Sequence, residues 1–319
     1  MNNSILKMTN QSTKTILMVR PTDFEFNAQT AADNEFQNML PDRNVRQEAL
    51  NEFENAVSLL RAEGVQVLIL EKDPSLPEMP DAVFPNNWFG TDENGAIHIF
   101  PMKTPNRQQE AEQITGVLKL LENEGFSFTE ILDWRKLLGE NQVLEGTGSL
   151  ILDRVHKRMF AAISDRTQED ACRKFAAETG YQPVLFHTMS SRGFAYYHTN
   201  VVMSIGANVV VACLDCIPDS EEREMVRNEI IKHHSLVEIS IQQLEEGFCG
   251  NLLQVLGNNG ETTITVLSST AFNSLSDEQK ETLSKHGKLI SIPIPVIEAV
   301  GGGSIRCMMA EIFCPRKTG

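Results

Sequence analysis

The sequence has few cysteines and no long apolar run. Its six cysteines among 319 residues are irregularly spaced, too few for a disulfide scaffold, and typical of reduced thiols in a cytosol. No apolar run approaches the ~20 residues that a membrane-spanning helix needs. Residues 1–15 are polar and lack the apolar core of a secretory signal. We therefore expect a soluble cytoplasmic protein without a membrane partner, whose residues 1–15 form a flexible N-terminus.

Positive charge is also scarce. Lysine and arginine total 28 against 43 acidic residues, which gives a net charge of -15. This charge argues against a nucleic-acid partner, because the phosphate backbone would repel the protein. Hydrophobic residues make up 41% and charged residues 22%, as in ordinary globular proteins. No Pro-, Ser- or Gly-rich linker divides the chain, so we expect one domain over residues 1–319.

Apolar runs and helical periodicities alternate along the chain. The predicted strands are 16–19, 65–70, 83–90, 97–100, 126–132, 149–152, 159–163, 184–186, 201–205, 208–213, 236–239, 252–256, 262–267 and 289–292, and the predicted helices are 45–63, 108–124, 168–179, 221–233 and 277–286. The order strand, strand, helix, strand recurs about five times, roughly every 60 residues. The pattern predicts an α/β fold in which small units form a ring.

Four segments carry most of the chemically reactive side chains. They are Pro-Asp-Ala-Val-Phe-Pro-Asn-Asn-Trp-Phe at 80–89, Glu-Gly-Thr-Gly at 145–148, Tyr-Tyr-His-Thr-Asn at 196–200 and Gly-Gly-Gly-Ser-Ile-Arg-Cys at 301–307. Each segment lies just before or at a predicted strand of a different unit. Because functional side chains concentrate on loops and strand ends, a ring would bring these distant segments together.

Cys307 and His198 are the first candidates for catalysis. A thiolate is the reactive form of cysteine, and three glycines before Cys307 let the backbone approach a ligand closely. The alternative for Cys307 is a buried structural thiol, and the alternative for His198 is a core histidine beside Tyr197. Histidine titrates near neutral pH, which suits it to proton transfer.

These motifs, in this order, resemble the amidinotransferase or guanidino-group modifying superfamily, which includes arginine deiminases and dimethylarginine dimethylaminohydrolases. The resemblance extends over residues 16–313 and includes Ser-Asp-Arg-Thr at 164–167; within the superfamily it is strongest to citrulline utilization hydrolases. It implies a five-bladed α/β propeller, the pentein fold, built of strand-strand-helix-strand units. It also implies a cysteine-dependent C–N hydrolase that needs no cofactor and no metal.

The resemblance assigns a role to each candidate residue. It implies Cys307 as nucleophile, His198 as proton shuttle and Glu145 as the third catalytic residue, with Asp81, Asn86, Asn87, Arg107, Arg166 and Asn200 as substrate-binding residues. A carboxylate accepts two parallel N–H bonds from a planar nitrogen-rich group, which suits Asp81 and Glu145 to the substrate head. A guanidinium forks onto a carboxylate, which suits the two arginines to the substrate α-carboxylate. For Arg107, a surface position is the alternative.

The sequence departs from its relatives at Asn87, Asn200 and Gly148, where enzymes that act on charged guanidinium groups usually have an acid. A neutral ureido group presents N–H donors and a carbonyl oxygen, and an Asn side chain supplies both an acceptor and a donor. We therefore expect hydrolysis of citrulline to ornithine, ammonia and carbon dioxide. Hydrolysis of arginine or methylated arginine, an amidinotransferase and a non-catalytic binding protein remain the alternatives.

Three other motifs carry no predicted chemistry. The single Cys-x-x-Cys pair at 213–216 lacks the partners of a zinc site, and the adjacent His233 and His234 point apart on a predicted helix. The segment 249–251, Cys-Gly-Asn, is expected to have a structural role near the site. The expected partner is a small amino-acid substrate, and the chain could also form a homodimer.

Overall fold

In the computed structural model, which describes residues 10–317, the strands form five sheets of three strands each. The strands are β1 Thr15–Val19, β2 Gln66–Leu70, β3 Phe89–Thr91, β4 Ala96–Ile99, β5 Glu130–Asp133, β6 Ile151–Asp153, β7 Arg158–Ile163, β8 Gln182–His187, β9 Met203–Ile205, β10 Val209–Ala212, β11 Ser235–Glu238, β12 Leu253–Gly257, β13 Thr262–Ser268, β14 Lys288–Ile292 and β15 Ala310–Glu311. The sheets are β15-β1-β2, β3-β4-β5, β6-β7-β8, β9-β10-β11 and β12-β13-β14.

Every sheet has the same pairing scheme. The middle strand is antiparallel to the first strand and parallel to the third. A parallel pair needs a long crossover, and the predicted helix of each unit lies in that connection. The mixed α/β class and the fivefold recurrence expected from the sequence are therefore both present.

The helices alternate with these strands. They are α1 Val45–Ala62, α2 Pro105–Gln108, α3 Ile114–Asn123, α4 Trp134–Leu137, α5 Gly146–Ser149, α6 Glu169–Thr179, α7 Thr199–Val202, α8 Ser220–Ile231, α9 Ile241–Glu245, α10 Ser269–Ser274, α11 Asp277–Ser284 and α12 Pro295–Gly301. The longest, α1, is capped by the Asn44 side chain, buries Phe53 and Leu60, and is followed by Gly64 at φ +76°. None of the helices within residues 10–317 is long and apolar enough to cross a membrane.

The two chain ends share one sheet. Ile16 of β1 pairs with Glu311 of β15, and Thr13 donates a hydrogen bond to the Ile312 carbonyl at 2.6 Å. Of the expected flexible segment, residues 1–15, the first nine lie outside the described residues. Its described part is packed against the sheet, and Thr13 is buried.

A short helical turn precedes the first strand of several sheets. Such turns are Pro85–Asn87 before β3, α5 before β6, α7 before β9 and Ile305–Met308 before β15. Several strand predictions began too early, since 83–88, 127–129, 149–150 and 201–202 are not strand. Pro85 has no N–H to donate to a ladder, which ends the strand pattern there. These turns position the candidate site.

Candidate active site

The short turns place the reactive side chains around one narrow cavity. Its lining residues are Thr30, Asn34, Asp81, Phe84, Asn87, Arg107, Arg166, Tyr197, His198, Gly301, Gly303 and Cys307. Six of the predicted site residues are in this set, from segments more than 200 positions apart in the sequence. The cavity therefore brings together the nucleophile and the proton shuttle that the motifs predicted.

Two carboxamides contact the sulfur of Cys307. The residue lies in the turn Ile305–Met308 and is 4% exposed. Asn200 Nδ2 and Asn251 Nδ2 each lie 3.3 Å from Cys307 Sγ. Asn251 also donates to the Asn200 carbonyl at 2.8 Å, which holds the two amides together. Two N–H donors therefore converge on the sulfur.

His198 is paired with a buried carboxylate. His198 Nε2 lies 2.7 Å from Glu145 Oε2, and Glu145 Oε1 accepts from the Lys103 backbone N–H at 2.9 Å. Burial raises the pKa of Glu145, but Arg166 and His198 outweigh it and bring that pKa to about 2. Burial lowers the pKa of His198, although its bond to Glu145 opposes the shift. The pair is thus a carboxylate with a neutral imidazole held in one orientation.

Gly148 leaves room for the side chains of Asn87 and His198. A Cβ atom at this position would lie 2.3 Å from Asn87 Nδ2 and 2.9 Å from the His198 ring. A side chain here would displace both groups, so an acidic residue cannot be accommodated at position 148 with this packing.

Asp81 presents one free oxygen inside the protein. Its Oδ2 accepts from Asn27 Nδ2 at 2.7 Å and from Thr30 Oγ1 at 3.0 Å. Its Oδ1 is buried and has no hydrogen-bond partner within residues 10–317. Burial raises the pKa of the Asp81 carboxyl, and the Arg107 guanidinium opposes that shift. A buried acceptor of this kind is suited to an N–H donor of a ligand.

Asn87 is held by Arg107. Asn87 Oδ1 accepts from Arg107 Nη1 at 2.9 Å, and Asn87 Nδ2 is buried without a partner among the described residues. Arg107 also binds Glu110 through two bonds of 2.8 and 2.9 Å and the Phe84 carbonyl at 3.2 Å. All three guanidinium nitrogens of Arg107 thus donate to protein groups, so in this arrangement Arg107 does not present the predicted clamp for a substrate carboxylate. It is also buried, which excludes the surface position considered for it.

Arg166 lies beside the cavity with acidic and basic neighbours. Its guanidinium binds Asp33 and donates to the Thr30 carbonyl at 3.0 Å. Asp33 also accepts from Lys103 Nζ at 2.8 Å, so one carboxylate joins two cations. Arg166 lies over the Tyr197 ring, with its central carbon 4.9 Å from the ring centroid. This end of the cavity therefore carries both signs of charge.

Some residues differ from the sequence prediction. Asn86 does not line the cavity, since its side-chain nitrogen points to Thr147 Oγ1 at 3.4 Å. Sequence analysis missed Asn251 as a contact of the sulfur and missed Asp33 altogether. The recurring position of a polar residue before the first strand of each sheet could have identified Asn251. Asp33 lies in the irregular segment between β1 and α1, where no periodicity marks it.

The family model described as N,N dimethylarginine dimethylhydrolase, eukaryotic, matches residues 20–314. No curated protein matches the chain. Among solved structures, ArgZ, an arginine dihydrolase from the ornithine-ammonia cycle in cyanobacteria, is 17% identical with a TM-score of 0.72 over 95% of this chain. This chain spans only 41% of the length of ArgZ. The N-terminal domain of ArgZ, bound to product, is covered to 99%; it is 17% identical to this chain, with a TM-score of 0.69 over 94% of this chain.

DDAH from Pseudomonas aeruginosa, as a cysteine-to-serine variant complexed with citrulline, has the same fold. It is 14% identical, with a TM-score of 0.62 over 94% of this chain and 100% of that one. At these identities the solved structures establish the fold, whereas the family model covers most of the sequence. The chain belongs to the N,N dimethylarginine dimethylhydrolase family.

Proposed function

We propose that this hydrolase converts citrulline to ornithine, ammonia and carbon dioxide by attack of Cys307 on the ureido carbon. The observation that carries the proposal is the set of buried polar atoms without partners among the described residues: the acceptors Asp81 Oδ1 and Asn200 Oδ1, and the donor Asn87 Nδ2. A ureido group has N–H donors and one carbonyl oxygen. Two acceptors and one donor complement it.

A guanidinium fits this set less well because it has donors only. Asn87 Nδ2 would then face an N–H group, and a flip of the amide would set that nitrogen against the Arg107 N–H at 2.9 Å. Opposed donors in a buried site cost about 1–3 kcal/mol. Arg107, held by Glu110, thereby fixes the amide orientation that suits a carbonyl oxygen.

The first half of the reaction transfers the carbamoyl group to sulfur. His198 takes the thiol proton, and the Cys307 thiolate, held by the Asn200 and Asn251 amides at 3.3 Å, attacks the ureido carbon. The bond from that carbon to the δ-nitrogen then breaks. The proton on His198 goes to this nitrogen and ornithine leaves, with an S-carbamoyl group on Cys307. Glu145 stabilises the imidazolium that forms in between.

The second half hydrolyses the S-carbamoyl group. His198 takes a proton from water as the oxygen attacks the carbonyl carbon. The carbon–sulfur bond breaks, which returns the thiolate, and the released carbamate decomposes to ammonia and carbon dioxide. The low pKa of His198 in its buried site suits it to act as a base near neutral pH.

The amino-acid end of the substrate fits the charged end of the cavity. We infer that its α-ammonium binds Asp33 and that its α-carboxylate binds Arg166 and Lys103, which already share the Asp33 carboxylate. Arg166 thus keeps the role that the resemblance implies, whereas Arg107 instead orients Asn87. The zwitterion would rearrange an existing ion network and would not bring charge into an apolar site.

Arginine is the second candidate substrate. The Asp81 carboxylate, buried and with one free oxygen, is the observation that favours a cation. ArgZ, which is similar to this chain in structure, is named an arginine dihydrolase. A cysteine-to-alanine variant of AgrE, a second structural neighbour of this chain, forms a complex with L-arginine. Attack on a guanidinium carbon would release ammonia first and could leave citrulline as a product.

We also propose that the five sheets form the blades of one pentein-type propeller over a single domain. The pairing of β1 with β15, which joins the chain ends in one sheet, supports closure of such a ring. A reducing cytoplasmic location is supported by the six cysteines, all of which are unpaired. A homodimer remains a proposal from the sequence.

The test is a substrate panel. Citrulline, arginine and dimethylarginine are incubated separately with the protein while ornithine, citrulline and ammonia are measured. We expect equal amounts of ornithine and ammonia from citrulline, and no turnover by Cys307→Ser. If arginine is turned over faster than citrulline, the citrulline preference is wrong.

A further inference from the structure

Two imidazoles converge on one carboxylate oxygen in a group that shares no residue with the cavity. Asp153 ends β6, His156 lies in the turn before β7, and His234 lies between α8 and β11. His156 Nδ1 and His234 Nε2 lie 2.9 and 2.8 Å from Asp153 Oδ2. In the described part of the chain, this is the only group of three His, Cys, Asp or Glu side chains with ligand atoms within 4.8 Å of one another.

We propose that Asp153, His156 and His234 bind one divalent transition-metal ion, with Zn²⁺ the ion that suits them best. Two imidazoles and one carboxylate are a common donor set for zinc, with a fourth position left to water or another donor. Bonds of about 2.0–2.2 Å separate ligand atoms by about 3.3 Å. The His–Asp distances of 2.9 and 2.8 Å would therefore widen by about 0.5 Å to admit an ion, which small side-chain rotations allow.

The three side chains differ in their exposure to solvent. Asp153 and His234 are both buried, whereas the His156 side chain is 29% exposed. His234 Nε2 is the ring nitrogen that faces Asp153, so it is the donor available to an ion in this group. The partly exposed His156 provides the path by which an ion can enter.

The position of the group indicates a structural role. Asp153 ends β6 of the sheet β6-β7-β8 and His156 lies in the turn that joins β6 to β7, whereas His234 immediately precedes β11 of the sheet β9-β10-β11. An ion here would tie two neighbouring sheets together, beside the Arg158–Glu229 ion pair at 3.1 Å. It would stabilise the folded chain, because the ion binds the folded state and the unfolded chain has no preformed site.

This proposal differs from the expectation that the protein has no metal. Adjacent histidines do point apart, as expected: His234 faces Asp153, and the His233 ring stacks on His156 with centroids 3.8 Å apart. The missing ligands come from a turn about 80 positions earlier, which sequence spacing does not reveal. His233 stacks on the His156 ring and is not one of the three residues whose ligand atoms converge, so the fourth position is left to water.

The experiment measures Zn²⁺ binding by equilibrium dialysis with metal analysis. Cys307→Ser is the starting protein, because the active-site thiol and imidazole could bind zinc themselves. We expect one Zn²⁺ per chain, at least tenfold weaker binding in Cys307→Ser/His156→Ala, and unchanged binding in Cys307→Ser/His187→Ala. His187 is the matched control, since it is an exposed imidazole 2.9 Å from a single carboxylate, that of Glu222.

Folding and coordination are checked on the same proteins. Because His156 is partly exposed, its replacement should leave the circular dichroism spectrum unchanged, and zinc should raise the thermal unfolding midpoint of Cys307→Ser but not of the His156→Ala variant. Co²⁺ should give a visible d–d spectrum that the same substitution abolishes. Failure of Cys307→Ser to bind zinc, or equal binding by the His156→Ala and His187→Ala variants, would overturn the proposal.

Discussion

The amide oxygen of Asn87 accepts a hydrogen bond from Arg107 Nη1 at 2.9 Å, and the amide nitrogen of this cavity-lining residue is therefore available to a ligand. The orientation of this one amide follows from charge, because a guanidinium has no acceptor and can only donate to the oxygen. Glu110 fixes the guanidinium in turn through two bonds. The preference for a carbonyl oxygen over an N–H group in the substrate thus depends on a chain of three buried side chains.

Asn87→Asp should reverse this preference. The new carboxylate would remain paired with Arg107 but present an acceptor to the ureido oxygen, which costs about 1–3 kcal/mol, or about 5- to 150-fold in kcat/KM for citrulline. The ratio of kcat/KM for arginine to that for citrulline should rise. Asn123→Asp, which adds a charge at an exposed position, is the control. An unchanged ratio would mean that Asn87 does not face the head group.

Asn251→Leu should weaken the nucleophile. Loss of one of the two amide donors to Cys307 Sγ leaves the attacking sulfur less well held, so iodoacetamide alkylation of Cys307 at a fixed pH should slow and kcat should fall about tenfold. Burial raises the pKa of Cys172 and Cys249 to about 12 and that of Cys314 to about 11, so these thiols should not compete.

The control for this experiment is the ligand itself. Citrulline should slow alkylation of Cys307 in the unchanged protein and should leave labelling of the other thiols as it was. If the rate of Cys307 alkylation and kcat were the same with and without the Asn251 amide, that residue would have a packing role only.

Asp33→Asn should mainly affect substrate binding. Without the carboxylate, the α-ammonium loses its partner, so KM for citrulline should rise about tenfold or more while kcat changes less. Asp165→Asn is the matched control, because Asp165 also binds Lys103 at 2.8 Å but is 80% exposed. Steady-state kinetics decide the point, and a loss of kcat at constant KM would contradict this role.

Stability should decrease as pH falls below about 6.5. Burial lowers the pKa of His198 in the folded state, so its contribution to stability is complete above the unfolded pKa of about 6.5 and is lost on acidification. Glu145, whose pKa is about 2 when folded, adds a loss between its unfolded value of 4.5 and pH 2.

His198→Gln should remove the first of these losses. The thermal unfolding midpoint of the variant should fall less between pH 6.5 and pH 5 than that of the unchanged protein. His187→Gln, at an exposed imidazole, should follow the unchanged protein. A parallel decline in all three proteins would show that His198 is not responsible.

The sequence predicted most of the fold because strands and helices have local signals. The predicted helix 45–63 is present as Val45–Ala62, and the strand 16–19 is present as Thr15–Val19. The short turns Pro85–Asn87 and Thr199–Val202 were missed, since a single helical turn has no periodicity and its cause is tertiary. The Thr199 hydroxyl, for example, donates to the Ser149 carbonyl of a neighbouring unit.

The site was predictable where a motif specifies one residue type for one task. Cys307 and His198 were predicted in this way and both line the cavity, while their catalytic roles stay predictions. The role of Arg107 was not predictable, because its charge is matched by Glu110, and a sequence does not show which carboxylate a guanidinium reaches. Asp33 is positioned by a long irregular segment, so its contact with Arg166 arises only in the folded chain.

The most direct test of the central claim is the identity of the group that forms on Cys307. The protein is mixed with citrulline, quenched in acid during turnover, digested and analysed by peptide mass spectrometry. A carbamoyl group on the peptide that contains Cys307, absent from Cys307→Ser, is the predicted result. Continued release of ornithine from citrulline while Cys307 stays unmodified, or a carbamoyl group on another residue, would contradict the account.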